Sequence, residues 1–461
     1  MDTRRRLTEA FDTWSAWADA RAADGDRFEP HLADLAARLR GGRPSPPRAG
    51  AGHPVEPPYR AALVGRFAAT LVELEGRVCD GDPGTAALAD EVVAELAAMF
   101  GLPAAYGRLT SGGAMANLEA LRVAREAHPE RGIAHSADGY AAHERGCDVL
   151  RVPAHCVRTD AAGRIDLDAL ATLLAKERVG TVVVGAGTDT LGAVDPIADI
   201  LALCRNHDVR VHVDATHGGF FTLLAGAVEL RGTPAARHLR AIAGCDSVAV
   251  DPHRRGLHPH ACGALLTRGT NGSEEAGPGQ GRRPGETGLD QAPPGATAAA
   301  LWLTLRALPL TPDGLGELLA DRLRSTRRWR DLIDGEPELM LYQEPELDIL
   351  TYLPLTGEPR PRLSSVATAS RHIVKADPPD AEPPVHLSTL RVRVLDFLIR
   401  HPRAVADRND THILRSTLLG PECVAHVRPA HERLTALAAA APRRVHTAEP
   451  DARSASVESV M

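Results

Sequence analysis

Apolar and polar positions along the chain fall into two alternating patterns. In TAALADEVVAELAAMFGLP (85–103), Leu88, Val92, Leu96 and Met99 share one face of a helix that Gly101 and Pro103 end. AMANLEALRVAREA (114–127), DLDALATLLAKERV (166–179) and DPIADILALCRNHD (195–208) are further helices. TVVVGAG (181–187), VRVHVDA (209–215), SVAVD (247–251) and CGALLT (262–267) are continuous apolar runs. Such runs separated by helices predict a mainly parallel, doubly wound sheet buried on both faces.

The ends of the chain read differently. Residues 1–40 have the pattern of an amphipathic helix, and 41–58, GGRPSPPRAGAGHPVEPP, that of a Pro/Gly linker. Residues 268–294 form a Gly-rich stretch expected to be a mobile loop, followed by the helix ATAAALWLTLRAL (296–308). LDILTYLP (347–354) and LRVRVL (390–395) are strands among helices, which predicts a smaller C-terminal α/β domain. The expected division is 1–80 (helical segment and linker), 81–312 (large domain), 313–440 (small domain) and 441–461 (disordered tail).

Composition narrows the classes. The chain has 461 residues, 44% hydrophobic and 25% charged, an ordinary globular balance. Its net charge of −7 argues against a general nucleic-acid binder, and no stretch is apolar enough to span a membrane. Seven dispersed cysteines without a C-x-x-C pair fit a reducing, cytoplasmic setting and argue against a metal site. Of 53 basic residues only Lys176 and Lys375 are lysines.

Several stretches could carry chemistry. Ser111-Gly112-Gly113 opens a helix, where exposed amides favour an anion such as phosphate, although a simple helix cap is the favoured reading of this stretch alone. Asp214 ends a strand, where parallel sheets bind ligands and where an acid can keep a heteroaromatic nitrogen protonated; the alternative is an N-cap. Thr188 in GTDTLGAVDP can face the same crevice, and HSADGYAAHER offers His135, Tyr140 and His143.

Taken together and in order, these stretches resemble the pyridoxal-phosphate (PLP) dependent group II amino-acid decarboxylases of the glutamate and aromatic-amino-acid type. The resemblance covers about residues 60–435. It rests on SGGAMANLEAL, HVDATHGGFF, DPHRRGLHPHACG, ALWLTLRALPL (300–310) and LRSTLLGPE (414–422). It implies fold type I: a mainly parallel central sheet flanked by helices, with a smaller C-terminal domain. It further implies that Ser111, Gly112 and Gly113 bind the cofactor phosphate, that Asp214 pairs with the pyridine nitrogen, and that Thr188 lies near the cofactor. Tyr140 stands where a His usually stacks on the ring, His135 being a weaker substitute. Thr216 stands where an Ala packs the opposite face, and His217 where a Tyr is common.

The largest departure is in DPHRRG. Where the family pattern D-P-H-K carries the lysine that forms the Schiff base, this chain has Arg254. A Schiff base needs a neutral primary amine, and a guanidinium stays protonated and delocalised. Lys176 and Lys375 lie in no motif that meets the cofactor, the latter in the Pro/Asp-rich stretch VKADPPDAEPP. Arg254 suits a phosphate or carboxylate held without a covalent bond. His253 is a ring contact or a general acid/base. Arg255 is expected to be solvated.

Three functions follow from the resemblance: a degenerate homologue that no longer decarboxylates or that supports a partner; an enzyme using non-covalent PLP, pyridoxamine phosphate or a preformed aldimine; and an ordinary decarboxylase. The ligand is a small anionic, amino-acid-like molecule, the cofactor non-covalent or absent, and the assembly a homodimer or a heterodimer with an active paralogue.

Overall fold

The computed structural model describes residues 58–71, 83–102, 105–259, 261–268, 289, 295–378, 383, 385–418 and 423–441. The expected helix at 1–40, the linker, most of the 268–294 loop and the tail lie outside the described residues.

The large sheet has seven strands: β1 (Ala105–Thr110), β2 (Gly132–Ser136), β3 (Ala154–Val157), β4 (Val179–Gly185), β5 (Arg210–Ala215), β6 (Ser247–Val250) and β7 (Gly263–Arg268). Their order is β1-β7-β6-β5-β4-β2-β3. All neighbours from β3 to β6 pair in parallel, while β7 is antiparallel to both β6 and β1. Six strands therefore share one direction and β7 alone is reversed.

Helices cover both faces, so strands β4, β5 and β6 are buried almost throughout. This double covering is why β4 and β6 read as apolar runs, while in β5 the buried His212 and Asp214 need polar partners. The helix Pro83–Met99 ends as its sequence predicts: Gly101 has φ +66°, a conformation that costs glycine nothing.

A second sheet comprises β8 (Leu339–Leu341), β9 (Leu350–Pro354), β10 (Val385–Arg393) and β11 (Asp410–Leu418), in the order β10-β11-β9-β8 and all antiparallel. Its core is Trp329, Tyr352, Ile373, Leu414 and Val427. The fold is the expected α/β architecture with a mainly parallel large sheet and a smaller C-terminal sheet. Lys375 lies in the last turn of the helix Leu363–Ala376, not in a loop; the chain stays helical until just before the prolines of the expected loop. Among the described residues no helix is long and apolar enough to cross a membrane.

Candidate active site

Because β1, β2, β4, β5 and β6 run the same way, the loops after Thr110, Ser136, Gly185, Ala215 and Val250 leave one edge of the sheet together. Ligands of open α/β sheets bind at this carboxyl edge. A narrow crevice lies there. Its walls include Tyr140, His143, Thr188, Asp214, Thr216 and Arg254. Five of these six residues belong to motifs read from the sequence as site candidates; His143 was noticed there without a role.

Asp214 is the buried acid of the crevice. Its Oδ2 lies 3.0 Å from His143 Nε2, and its Oδ1 accepts hydrogen bonds from Thr216 Oγ1 (2.6 Å) and Thr216 N (3.1 Å). Burial pushes its pKa up, but His143 and the Thr216 hydroxyl and amide outweigh burial and hold the carboxyl well below the usual range. It is an anion at neutral pH. His143 reaches it from the first turn of the helix Ala142–Leu150, and its ring meets Tyr140 edge-on at 6.0 Å.

Two residues upstream, His212 fixes the strand. Its ring nitrogens lie 2.8 Å from Ser247 Oγ and 2.9 Å from Asn117 Oδ1, tying β5 to β6 and to the helix Gly113–Ala127. Burial pushes its pKa down to about 3, so it is a neutral strut. Thr188 Oγ1 accepts from the amides of Leu191 and Ala193 (3.3 Å each), which shapes the loop after β4. His135 is buried with Nδ1 3.2 Å from the Ser136 carbonyl oxygen and is not part of the crevice wall.

The Ser111-Gly112-Gly113 turn begins the helix Gly113–Ala127, with Ser111 exposed and both glycines buried. A Cβ on Gly113 would sit 2.4 Å from Thr216 Cγ2 and 2.8 Å from Asp251 Oδ2, so only glycine fits. The Gly113 amide donates to Asp251 Oδ1 at 2.6 Å. A carboxylate of this chain thus already takes one amide of the helix mouth.

Asp251 also organises the basic turn. Its Oδ1 lies 3.2 Å from His253 Nδ1 and its Oδ2 3.2 Å from Arg254 Nε. His253 Nδ1 is also 2.6 Å from the Cys262 carbonyl oxygen. Burial lowers the His253 pKa, but Asp251 and that carbonyl more than reverse it, leaving it raised. Arg254 faces the crevice, and its Nη1 is buried with no hydrogen-bond partner. A second guanidinium, Arg415 on β11, donates to Ser388 Oγ (3.1 Å) and to the Asp189 carbonyl (2.8 Å). Burial lowers its pKa, and the charge of Arg254 adds to that. The LRSTLLGPE motif held this residue, but nothing in the sequence singled it out.

Arg255 corrects the sequence reading. It is buried, not solvated: its Nη2 lies 2.6 Å from Asp348 Oδ2, with both side chains 1% exposed. The lysines stay away from the crevice. Lys176 is exposed at the amino end of β4, whereas the crevice lies at the carboxyl end; a strand of that length separates the two by roughly 20 Å. Lys375 is exposed on a helix packed against the second sheet, and neither lines the crevice.

The pyridoxal-dependent decarboxylase conserved domain matches residues 61–274. A probable L-tyrosine/L-aspartate decarboxylase of Methanocella arvoryzae is 31% identical over 278 residues, 58% of this chain and 70% of that protein. The chain belongs to the pyridoxal-dependent decarboxylase family. The similarly described protein of Methanothermobacter thermautotrophicus is 29% identical over 286 residues, 59% of this chain and 75% of its own length. The fold agrees with that membership. The structure of Oryza sativa TDC with PLP superposes with a TM-score of 0.72 at 16% identity, covering 95% of this chain and 98% of that one. Asp214, near the end of β5, and Arg254, in the turn after β6, both line the crevice.

Proposed function

We propose that this pyridoxal-dependent decarboxylase homologue binds a B6 vitamer, PLP or pyridoxamine phosphate, or another small anionic amino-acid-like ligand, without a covalent bond, and does not decarboxylate through a lysine Schiff base. What supports the reading is the crevice wall: Arg254 lines it and neither lysine of the chain does; by the resemblance, position 254 is where the family pattern carries its lysine.

The residues present fit a vitamer. Asp214, held as a buried anion, suits a protonated ring nitrogen. Tyr140 offers an aromatic face, and Thr216 packs beside Asp214. The unpartnered Nη1 of Arg254 suits an anionic oxygen; Ser111 and Gly112, to which the resemblance gives the phosphate, lie at the helix mouth outside the crevice wall, and the Gly112 amide donates to Thr110 Oγ1 at 3.4 Å. When bound, such a vitamer supplies an electron sink for charge left at an amino-acid α-carbon. The protein's own part is to orient the ring through Asp214 and to neutralise the ligand's anion through Arg254.

One observation favours a second reading, an enzyme of altered chemistry. Asp214 and His143 form a buried acid–imidazole pair, and a scaffold has no use for a charge held under such burial. In that reading Tyr140, His143 or His253 moves the proton. For the assembly we favour a homodimer, or a heterodimer with a lysine-bearing paralogue, which native mass measurement separates.

The test is direct. Protein incubated with PLP or pyridoxamine phosphate and gel-filtered should retain the vitamer absorbance, and borohydride should leave no vitamer on the chain. A borohydride-stable adduct on Lys176 or Lys375 would restore the ordinary lysine-dependent decarboxylase.

A further inference from the structure

Arg254 and Arg255 are consecutive, so one turn presents two guanidinia, and only Arg254 lines the crevice. We propose that Asp348 is a positioning residue that captures Arg255, leaves Arg254 facing the crevice, and with its neighbours sets the crevice loops against one another.

The geometry is compact. Asp348 Oδ2 is 2.6 Å from Arg255 Nη2, and Asp348 Oδ1 is 3.1 Å from His217 Nε2. Each captured residue is the chain neighbour of a crevice residue: Arg255 follows Arg254, and His217 follows Thr216, which itself bonds Asp214. The residues flanking Asp348 extend the contact. Leu347 Cδ1 is so close to Gly187 and Gly218 that an added Cβ would meet it at 2.6 and 2.7 Å, and Ile349 packs in the same way on Gly192. The segment Leu347-Asp348-Ile349 thus supports the loops after β4, β5 and β6 together, just before β9 of the second sheet.

The charges fit this role. Burial pushes the Asp348 carboxyl up, but Arg255 and His217 outweigh it and hold the acid ionised. Burial, against the pull of Asp348, keeps the His217 pKa below its ordinary value, so the neutral ring donates and the buried charges of Arg255 and Asp348 balance. The resemblance to the decarboxylases assigns Asp348 and Arg255 no role. The proposal stands whether or not the crevice takes a vitamer.

Amide hydrogen exchange on the full chain tests it, comparing 186–192, 214–219 and 251–258 with the helix Leu167–Lys176 as control. Asp348→Asn should speed exchange in the three loops roughly tenfold or more and leave the control unchanged. The paired variant Asp348→Leu/Arg255→Met removes the charges without stranding either. It should recover thermal stability while its loops still exchange fast. If the Asp348→Asn loops exchange as in the unsubstituted chain, or if the paired variant recovers loop protection together with stability, the positioning role is wrong. Should Asp348→Asn not fold, the paired variant alone decides.

Discussion

Removing the Asp251 carboxylate should unsettle the site more than removing its charge. Asp251 accepts from the Gly113 amide at 2.6 Å and lies 3.2 Å from both His253 and Arg254, with its side chain 3% exposed. Asp251→Ala deletes one charge-assisted hydrogen bond and leaves a buried amide unsatisfied, each worth about 1–3 kcal/mol. It also strands two basic groups, so a total near 3–5 kcal/mol is expected. Asp251→Asn keeps an acceptor for Gly113 but strands the same two basic groups, so it should cost less than Ala by roughly the 1–3 kcal/mol of the unsatisfied amide. Urea unfolding at pH 6 and pH 8 reads both variants. The pH dependence has a definite sign. His253 has a raised pKa in the folded chain, so its contribution to stability is full below its unfolded pKa, about 6.5, and fades as pH rises through the folded value. The gap between the unsubstituted chain and Asp251→Asn should therefore be wider at pH 6 than at pH 8. Equal losses for Ala and Asn, or a gap that does not narrow with rising pH, would refute the assignment of Asp251 as the centre of this turn.

The remaining predictions concern the crevice. Arg254→Lys places an amine where the family motif has one, and mass spectrometry after PLP and borohydride should then find an adduct at residue 254; its absence would mean that residue 254 does not face the vitamer. Asp214→Asn keeps an acceptor for Thr216 while removing the anion, so pyridoxamine phosphate should bind at least about tenfold more weakly by absorbance titration, and the melting temperature should fall because the depressed pKa of Asp214 contributes stability at neutral pH. Gly113→Ala forces a methyl against Thr216 and Asp251 and should cost roughly 1–3 kcal/mol by urea titration; an unchanged midpoint would show that the helix mouth is looser than described.

Much of the fold was legible because the buried strands β4 and β6 carry mostly apolar residues, because the valines of β5 alternate with Arg210, His212 and Asp214 at the strand period, and because strong helical periodicity separates the three. Strands β1, β2 and β3 were not read. AYGRLT carries an arginine, GIAHS is short and half polar, and AHCV lies at the sheet edge, so none has the composition of a buried run. At the site, Asp214, Thr188 and Tyr140 are legible from the strand end and loops that carry them, whereas Thr216 and the placement of Arg254 come only from the resemblance. His143 had no assigned role, since its contact with Asp214 depends on how the helix after β2 leans over β5. Arg255 departs from its expected solvation because its partner, Asp348, lies 93 residues further on, in the segment before β9, and no local pattern announces so distant a neighbour.

The reversed direction of β7 ties the basic turn down at both ends. Residues 251–262 leave β6 and return along its immediate neighbour, so the stretch is a closed bight on one sheet edge, not a connection across the molecule. Within it the two arginines answer to different acids. Arg254 pairs with Asp251 of the same turn and lines the crevice, whereas Arg255 reaches out of the turn to Asp348. One carboxylate thus secures the bight from inside and another from outside, and replacing either arginine would leave a buried acid with a partner fewer.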